Sequence, residues 1–209
     1  MFMELRNVSL KAGDVVAFAG RGVASNAIKL FTCSRFSHVG GIAYVSNRDM
    51  RASARYSGLA DEWTSRNLLI ESTTLDTHPC VIQQRPFRGV QAHEPHRRIE
   101  EYDGEVWLLK LHPDWKLSLE ESSLLTRYLL GKVGLEYSMV EAALSGGNIV
   151  KRWLSNPESF HYVFCSQLWT GALERVGRYP LANASKVNPG ELVRTLVEQG
   201  TYLPPIPLK

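Results

Sequence analysis

The chain has 209 residues, of which 44% are hydrophobic and 22% charged, with a formal net charge of +3 and three cysteines. That composition excludes a disordered chain, and one core suffices, because a globular unit of this length buries roughly 70% of its unfolded surface. The mild charge, without a Lys/Arg run interleaved with aromatics, excludes a nucleic-acid footprint, and an odd cysteine count without CxxC or His/Cys metal spacing excludes a disulfide framework and a metal centre.

The opening Met1-Phe2-Met3-Glu4-Leu5-Arg6-Asn7 lacks the apolar stretch of about 7 to 15 residues that a signal peptide needs. No run reaches the roughly 18 apolar residues of a membrane span. The expectation is a reduced, cytoplasmic setting without a transmembrane segment, with association with a virion as the variant, and no cofactor.

Gly13-Asp14 leads into Val15-Val16-Ala17-Phe18-Ala19, a short apolar run bounded by glycine and so a buried strand, closed by Gly20 and Gly22. Ala27, Ile28 and Phe31 recur at helical spacing behind Ser25, which predicts a helix over 25–31 capped by that serine. Residues 38–45 are small, apolar and β-branched, a strand that places His38, Gly40, Ile42 and Tyr44 on one face. The connection from Ser46 to Asn67 is polar, arginine-rich and aperiodic, and a segment of that length is a candidate lid. A third strand covers 68–72, with Leu69 and Glu71 on a common face, and a fourth is predicted over 80–83.

The stretch 85–103 is polar, its Arg97-Arg98 pair a solvated turn, and it leads to a strand over 105–111 built on Val106, Trp107, Leu108, Leu109 and Leu111. From Ser118 the period becomes helical: Leu119, Ser122, Ser123, Thr126 and Leu130 follow a Ser118–Glu121 capping box, and Gly131 ends the run. Further helices are predicted over 138–144, 166–176 and 189–198, the last opening on a proline. Gly146-Gly147 and Pro157 mark breaks between them. The reading is a single α+β domain over 1–209, sheet first and helices after, without an internal repeat or linker.

Cys165, in Phe164-Cys165-Ser166-Gln167-Leu168, stands where a loop is predicted to enter an amphipathic helix whose Leu168, Ala172 and Val176 form a buried stripe. A thiol at a helix N-terminus meets unpaired N–H groups and the positive end of the helix dipole, which favour thiolate and could bind an oxyanion. An inert buried cysteine is the plainer alternative, so a partner is required. His38, at the start of a strand beside Gly40-Gly41, can supply one. His161 ranks second as a base; His78 precedes Pro79, His93 and His96 flank Pro95 in a polar loop, and His112 precedes Pro113 after a strand. Glu71 is a lone carboxylate in an apolar strand, where burial without a partner is costly, and it could orient an imidazole. From the residues alone, Cys–His–Glu is one of several arrangements open to them.

The succession Gly13-Asp14-Val15-Val16, Ser37-His38-Val39-Gly40, Ile70-Glu71-Ser72 and Phe164-Cys165-Ser166-Gln167-Leu168 resembles the YiiX/YebB-like branch of the permuted NlpC-type papain-fold proteins, relatives of the lecithin:retinol acyltransferases. The resemblance runs from about Gly13 to about Arg194 and includes the stretch from Gly131 to Ser138, where Ser138 replaces a common aspartate; Gln167 likewise replaces a frequent glutamate. It implies a circularly permuted papain-like fold with an antiparallel sheet packed against helices. It also implies Cys165 as nucleophile, His38 as general base, Glu71 as the group holding the imidazole, and Tyr137 as a marginal oxyanion donor.

The expected activity is a cysteine-dependent peptidase or amidase acting through a thioester acyl-enzyme. Its substrate would be a peptide, such as one of the cell wall, or an acylated small molecule. The alternatives are a lipid-directed thiol acyltransferase or esterase, and a structural or binding module of a larger assembly such as a viral particle. Phe160, Tyr162, Phe164 and Trp169 would suit a core or an acyl pocket, and core is the expectation. A protein partner could dock on the 46–67 connection or on the tail Tyr202-Leu203-Pro204-Pro205-Ile206-Pro207, for which simple fraying is the leading expectation.

Overall fold

The computed structural model describes residues 8–74, 77–135, 160–180 and 187–209. These form an α+β fold: one six-stranded antiparallel sheet packed against several helices. In chain order the elements are β1 (Val15–Gly20), α1 (Val23–Phe31), β2 (His38–Val45), α2 (Asn47–Ala52), β3 (Arg66–Thr73), β4 (Gly89–His93), α3 (Pro95–Glu100) and β5 (Gly104–Leu109). They continue with α4 (Leu119–Leu130), α5 (Phe160–Arg175), α6 (Pro189–Glu198) and β6 (Ile206–Pro207). The strand order is β4-β3-β2-β1-β5-β6.

β1 lies inside the sheet, between β2 and β5, and all of its residues are buried. Alternation sorts the side chains into two cores. Val15, Ala17, Val39, Ala43, Leu68 and Ile70 face α4, α5 and α6, with Leu125, Leu129, Leu168, Ala172, Leu192 and Leu196 against them. Val16, Phe18, Ile42, Leu69, Val106 and Leu108 face the other way, covered by Ile99 and Tyr102 around α3. Each buried aliphatic side chain contributes about 1.5–3 kcal/mol.

The predicted strand over 80–83 is absent. Cys80 accepts from the Gln84 N–H and donates to the Arg85 carbonyl, and Gln84 takes a φ of 55°, so the chain turns back on itself there. The fourth strand is β4, inside the stretch expected to be polar connection, where Val90 and Ala92 enter the helix-side core and Gln91 and His93 point to the other face. α1 begins at Val23, with Gly22 as an N-cap that makes no side-chain bond, so Ser25 lies inside the helix instead of capping it. The Ser118–Glu121 capping box and the helices ending at Leu130 and Glu198 stand where the sequence puts them.

The 46–67 connection is built into the body of the fold. α2 carries a Ser46–Asp49 capping box, and Met50, Tyr56, Ala60 and Trp63 enter the helix-side core. Tyr56 donates to the Val133 carbonyl at 2.6 Å and the Trp63 indole N–H to the Val45 carbonyl at 3.0 Å. The C-terminal tail does not fray: β6 pairs with β5, and the buried Tyr202 hydroxyl donates to the Gly13 carbonyl at 2.6 Å. The predicted 138–144 helix, the Gly146-Gly147 and Pro157 breaks, Tyr137, and the side chains of Phe160, His161, Tyr162 and Phe164 lie outside the described residues.

Candidate active site

Trp169 positions α5. Its indole N–H donates to the Ile70 carbonyl at 2.7 Å, and its ring fills the space over Gly41, where a β-carbon would stand 2.6 Å from the ring. Cys165 lies one turn back along the same helical stripe and is fully buried. α5 starts at Phe160, more than a turn before Cys165, so the expected helix entry at Ser166 is corrected. The thiol therefore sits beyond the first-turn N–H groups, and an oxyanion site made from them is not part of this geometry.

His38 is the first residue of β2, with its ring tilted against Phe18 at 5.4 Å between centroids. Glu71 on β3 stands opposite Gly40, two residues further along β2 and on the face shared by His38. The missing side chain at Gly40 leaves room for the carboxylate to reach the imidazole, and His38 Nε2 meets Glu71 Oε2 at 2.5 Å. The Cys165 side chain hydrogen-bonds His38 as well. Because Nε2 is committed to Glu71, Nδ1 is the ring nitrogen left for the thiol. The three residues singled out in the sequence are thus brought together with the imidazole in the middle.

Burial works against a charged imidazole at His38. The charge and hydrogen bond of Cys165, reinforced by Glu71, outweigh it, and the His38 pKa is pushed up to about 9. Glu71 is fully buried, which alone would raise its pKa; Arg98, His38 and His93 together hold the carboxyl well below the usual carboxylate range.

Arg98 is the residue that the sequence reading missed. It is 3% exposed and donates to Glu71 from Nε at 2.6 Å and from Nη2 at 3.3 Å; its neighbour Arg97 is exposed, but the pair lies in the helix α3, not in the solvated turn expected. The signal was present: Pro95, Arg98 and Ile99 have the i, i+3, i+4 spacing of one helix face and are the buried residues of α3. His93 was likewise expected in a polar loop. It ends β4 buried, with Nε2 3.6 Å from Glu71 Oε1, and burial, outweighing the attraction of Glu71, lowers its pKa.

His38 lines a cleft of about 410 Å³. The described walls come from the β1–α1 junction, the start of β2, the end of β3 and the α3–β5 turn, and the 46–67 connection contributes none of them. The walls are rich in hydroxyls, from Ser25, Ser37, Ser72, Thr73 and Tyr102, with Arg21, Glu101 and Asp103 at the edge. Among the described residues, the buried Ser72 hydroxyl has no hydrogen-bond partner. Burial raises the Tyr102 pKa to about 12, against the pull of Arg98, so this phenol stays a neutral donor. Cys165, fully buried against His38, is not among the described residues that line the cleft.

Among the described residues, no cluster of His, Cys, Asp and Glu has a metal-binding arrangement, and no helix is long and apolar enough to cross a membrane. A scan of the sequence against protein-family models finds no match, and a search of curated proteins finds none either.

Proposed function

We propose that the protein is a cysteine-dependent hydrolase of amide bonds, built on a circularly permuted papain-like fold of the NlpC type, with Cys165 as nucleophile, His38 as acid and base, and Glu71 as the group that orients the imidazole. The observation that carries this reading is the continuous contact from thiol to imidazole to carboxylate. In chain order it runs from a histidine strand through a carboxylate strand to a cysteine helix.

In the reaction, the Cys165 proton resides on His38 as a thiolate–imidazolium pair. Sγ attacks the carbonyl carbon, and the C–N bond breaks as the imidazolium gives its proton to the departing amine, which leaves a thioester. Water then attacks the thioester, His38 takes its proton, and release of the acid restores the thiolate–imidazolium pair. Glu71 keeps Nε2 engaged throughout, so that Nδ1 serves the sulfur. The hydroxyls and the charged edge of the cleft supply hydrogen-bond partners for a peptide or another polar acylated molecule.

The test is labelling of Cys165 by a thiol-reactive acyl probe, read by peptide mass because exposed Cys33 reacts as well, with release of amine from a peptide amide as second readout. Cys165→Ala and His38→Ala are expected to abolish both. Because Cys165 is fully buried, the labelling rate also measures how readily the thiol is reached. Labelling of Cys165 that survives His38→Ala, or amine release that survives Cys165→Ala, sinks the reading.

A further inference from the structure

Arg98 stands outside the Cys–His–Glu row, yet it makes the most extensive contact with it. Its guanidinium is held against two aromatic rings, 5.4 Å from the centroid of Phe18 and 5.1 Å from that of Tyr102. From there it donates to both Glu71 oxygens, and the Oε2 that it touches through Nη2 is the atom that meets His38 at 2.5 Å. A carboxylate held at one point can rotate about its last torsion. A planar guanidinium that engages both oxygens stops that rotation, which an ammonium cannot do. Phe18 also packs on the His38 ring, so one side chain supports the imidazole and the guanidinium together.

We propose that Arg98 is a positioning residue for the His38–Cys165 pair: by gripping Glu71 at two points, it fixes the oxygen that orients the imidazole and so keeps Nδ1 directed at the thiol. The proposal rests on the thiol-hydrolase reading above. The groups facing Glu71 are His38 from β2, His93 from β4 and Arg98 from α3, and Cys165 from α5 faces His38 in turn. Among the described residues, Nε2 of His93 stands 3.6 Å from Oε1 without a hydrogen-bond partner, whereas Arg98 gives both carboxylate oxygens a directed bond. A purely structural alternative exists, in which the buried ion pair only neutralises Glu71.

The experiment uses the whole chain and the variants Arg98→Met, Arg98→Lys, Glu71→Gln and the Arg98→Met/Glu71→Gln double, each checked for native circular dichroism. Two quantities are read: the downfield proton resonance of the short His38–Glu71 bond, and the rate against pH of Cys165 alkylation by iodoacetamide, followed by peptide mass with exposed Cys33 as internal reference. In Arg98→Met the resonance is expected to vanish, and alkylation to slow about a hundredfold, as misplacement of a reacting group does, with a displaced pH profile. Arg98→Lys recovers only part. In the Glu71→Gln background, Arg98→Met has no further effect, because the guanidinium acts through that carboxylate.

A resonance and pH profile in Arg98→Met equal to those of the wild type overturn the proposal, as do effects of the two single substitutions that multiply in the double. Should Arg98→Met not fold, Arg98→Lys decides by the same comparison, since it keeps the charge and loses the fork. Failure of the hydrolase reading looks different: alkylation of the wild type is then indifferent to His38→Ala, and the resonance still reports whether Arg98 holds Glu71.

Discussion

The indole of Trp169 occupies the space that a side chain on Gly41 would need: a β-carbon there would lie 2.6 Å from the ring. This contact sets how closely α5 approaches β2, and hence where the thiol one turn away meets the imidazole at the strand's first residue. Gly41→Ala is therefore expected to destabilise the fold by about 1–3 kcal/mol through overpacking. It should also slow Cys165 alkylation, because the helix must retreat. Urea denaturation and alkylation of the folded fraction check the two effects; stability and rate both unchanged would show that α5 is not seated by this contact.

The site should leave a signature in the pH dependence of stability. His38 holds its proton up to about 9, against 6.5 for a free imidazole, because Cys165 and Glu71 outweigh the opposing effect of burial. The folded state thus binds this proton more tightly than the unfolded state. The resulting stabilisation is complete below 6.5 and lost as pH rises through about 9. Glu71 acts at the acid end: with its pKa lowered, its contribution is present above the ordinary carboxylate value of 4.5 and lost on acidification. Urea midpoints from about pH 6 to about pH 10 should show the gap between wild type and His38→Ala narrowing over that upper window. A gap constant with pH contradicts the coupling.

The 46–67 connection should behave as core. Met50 is fully buried, so Met50→Ala is expected to cost about 2–5 kcal/mol, measurable as a lowered denaturation midpoint. Hydrogen exchange across 48–66 should be slow and indifferent to occupation of the cleft, since the connection lines none of it. Exchange that becomes protected only with a bound peptide would restore the lid.

Tyr202→Phe removes the hydroxyl that satisfies the buried Gly13 carbonyl, and an expected loss of about 1–3 kcal/mol follows. Thermal unfolding with unchanged alkylation of Cys165 is the predicted pair of results. A stability equal to that of the wild type would mean that the carbonyl finds another partner.

Much of the fold was legible because its signals are local. β2 and α6 begin and end where residue type and capping place them, and α4 follows its Ser118–Glu121 box. β4 was hidden because only alternate residues, Val90 and Ala92, are apolar, and the Gln91 and His93 between them read as loop until Glu71 and α3 are seen to cover that face. The apolar 80–83 stretch misled in the opposite sense, since its burial serves a turn that lies on β4. His38, Glu71 and Cys165 were legible as residues of the right chemistry in a known order. Arg98 was passed over: its spacing with Pro95 and Ile99 marks a buried helix face, but an arginine there gains a role only with the Glu71 carboxylate against it. The helix entry ahead of Cys165 was missed because the break at Pro157 was read as extending to the cysteine.

The bond from Tyr202 to Gly13 spans 189 positions of sequence. β1 can pair with β2 early in synthesis, but its other edge stays bare until β5 is made, and the turn before it is secured only when residue 202 arrives. Contacts so distant in sequence make folding slow and leave an unpaired strand edge exposed meanwhile. A nascent chain of this protein thus presents the ribosome exit with an adhesive hairpin, and its yield in cells should depend on how well chaperones shield that hairpin while the remainder is translated.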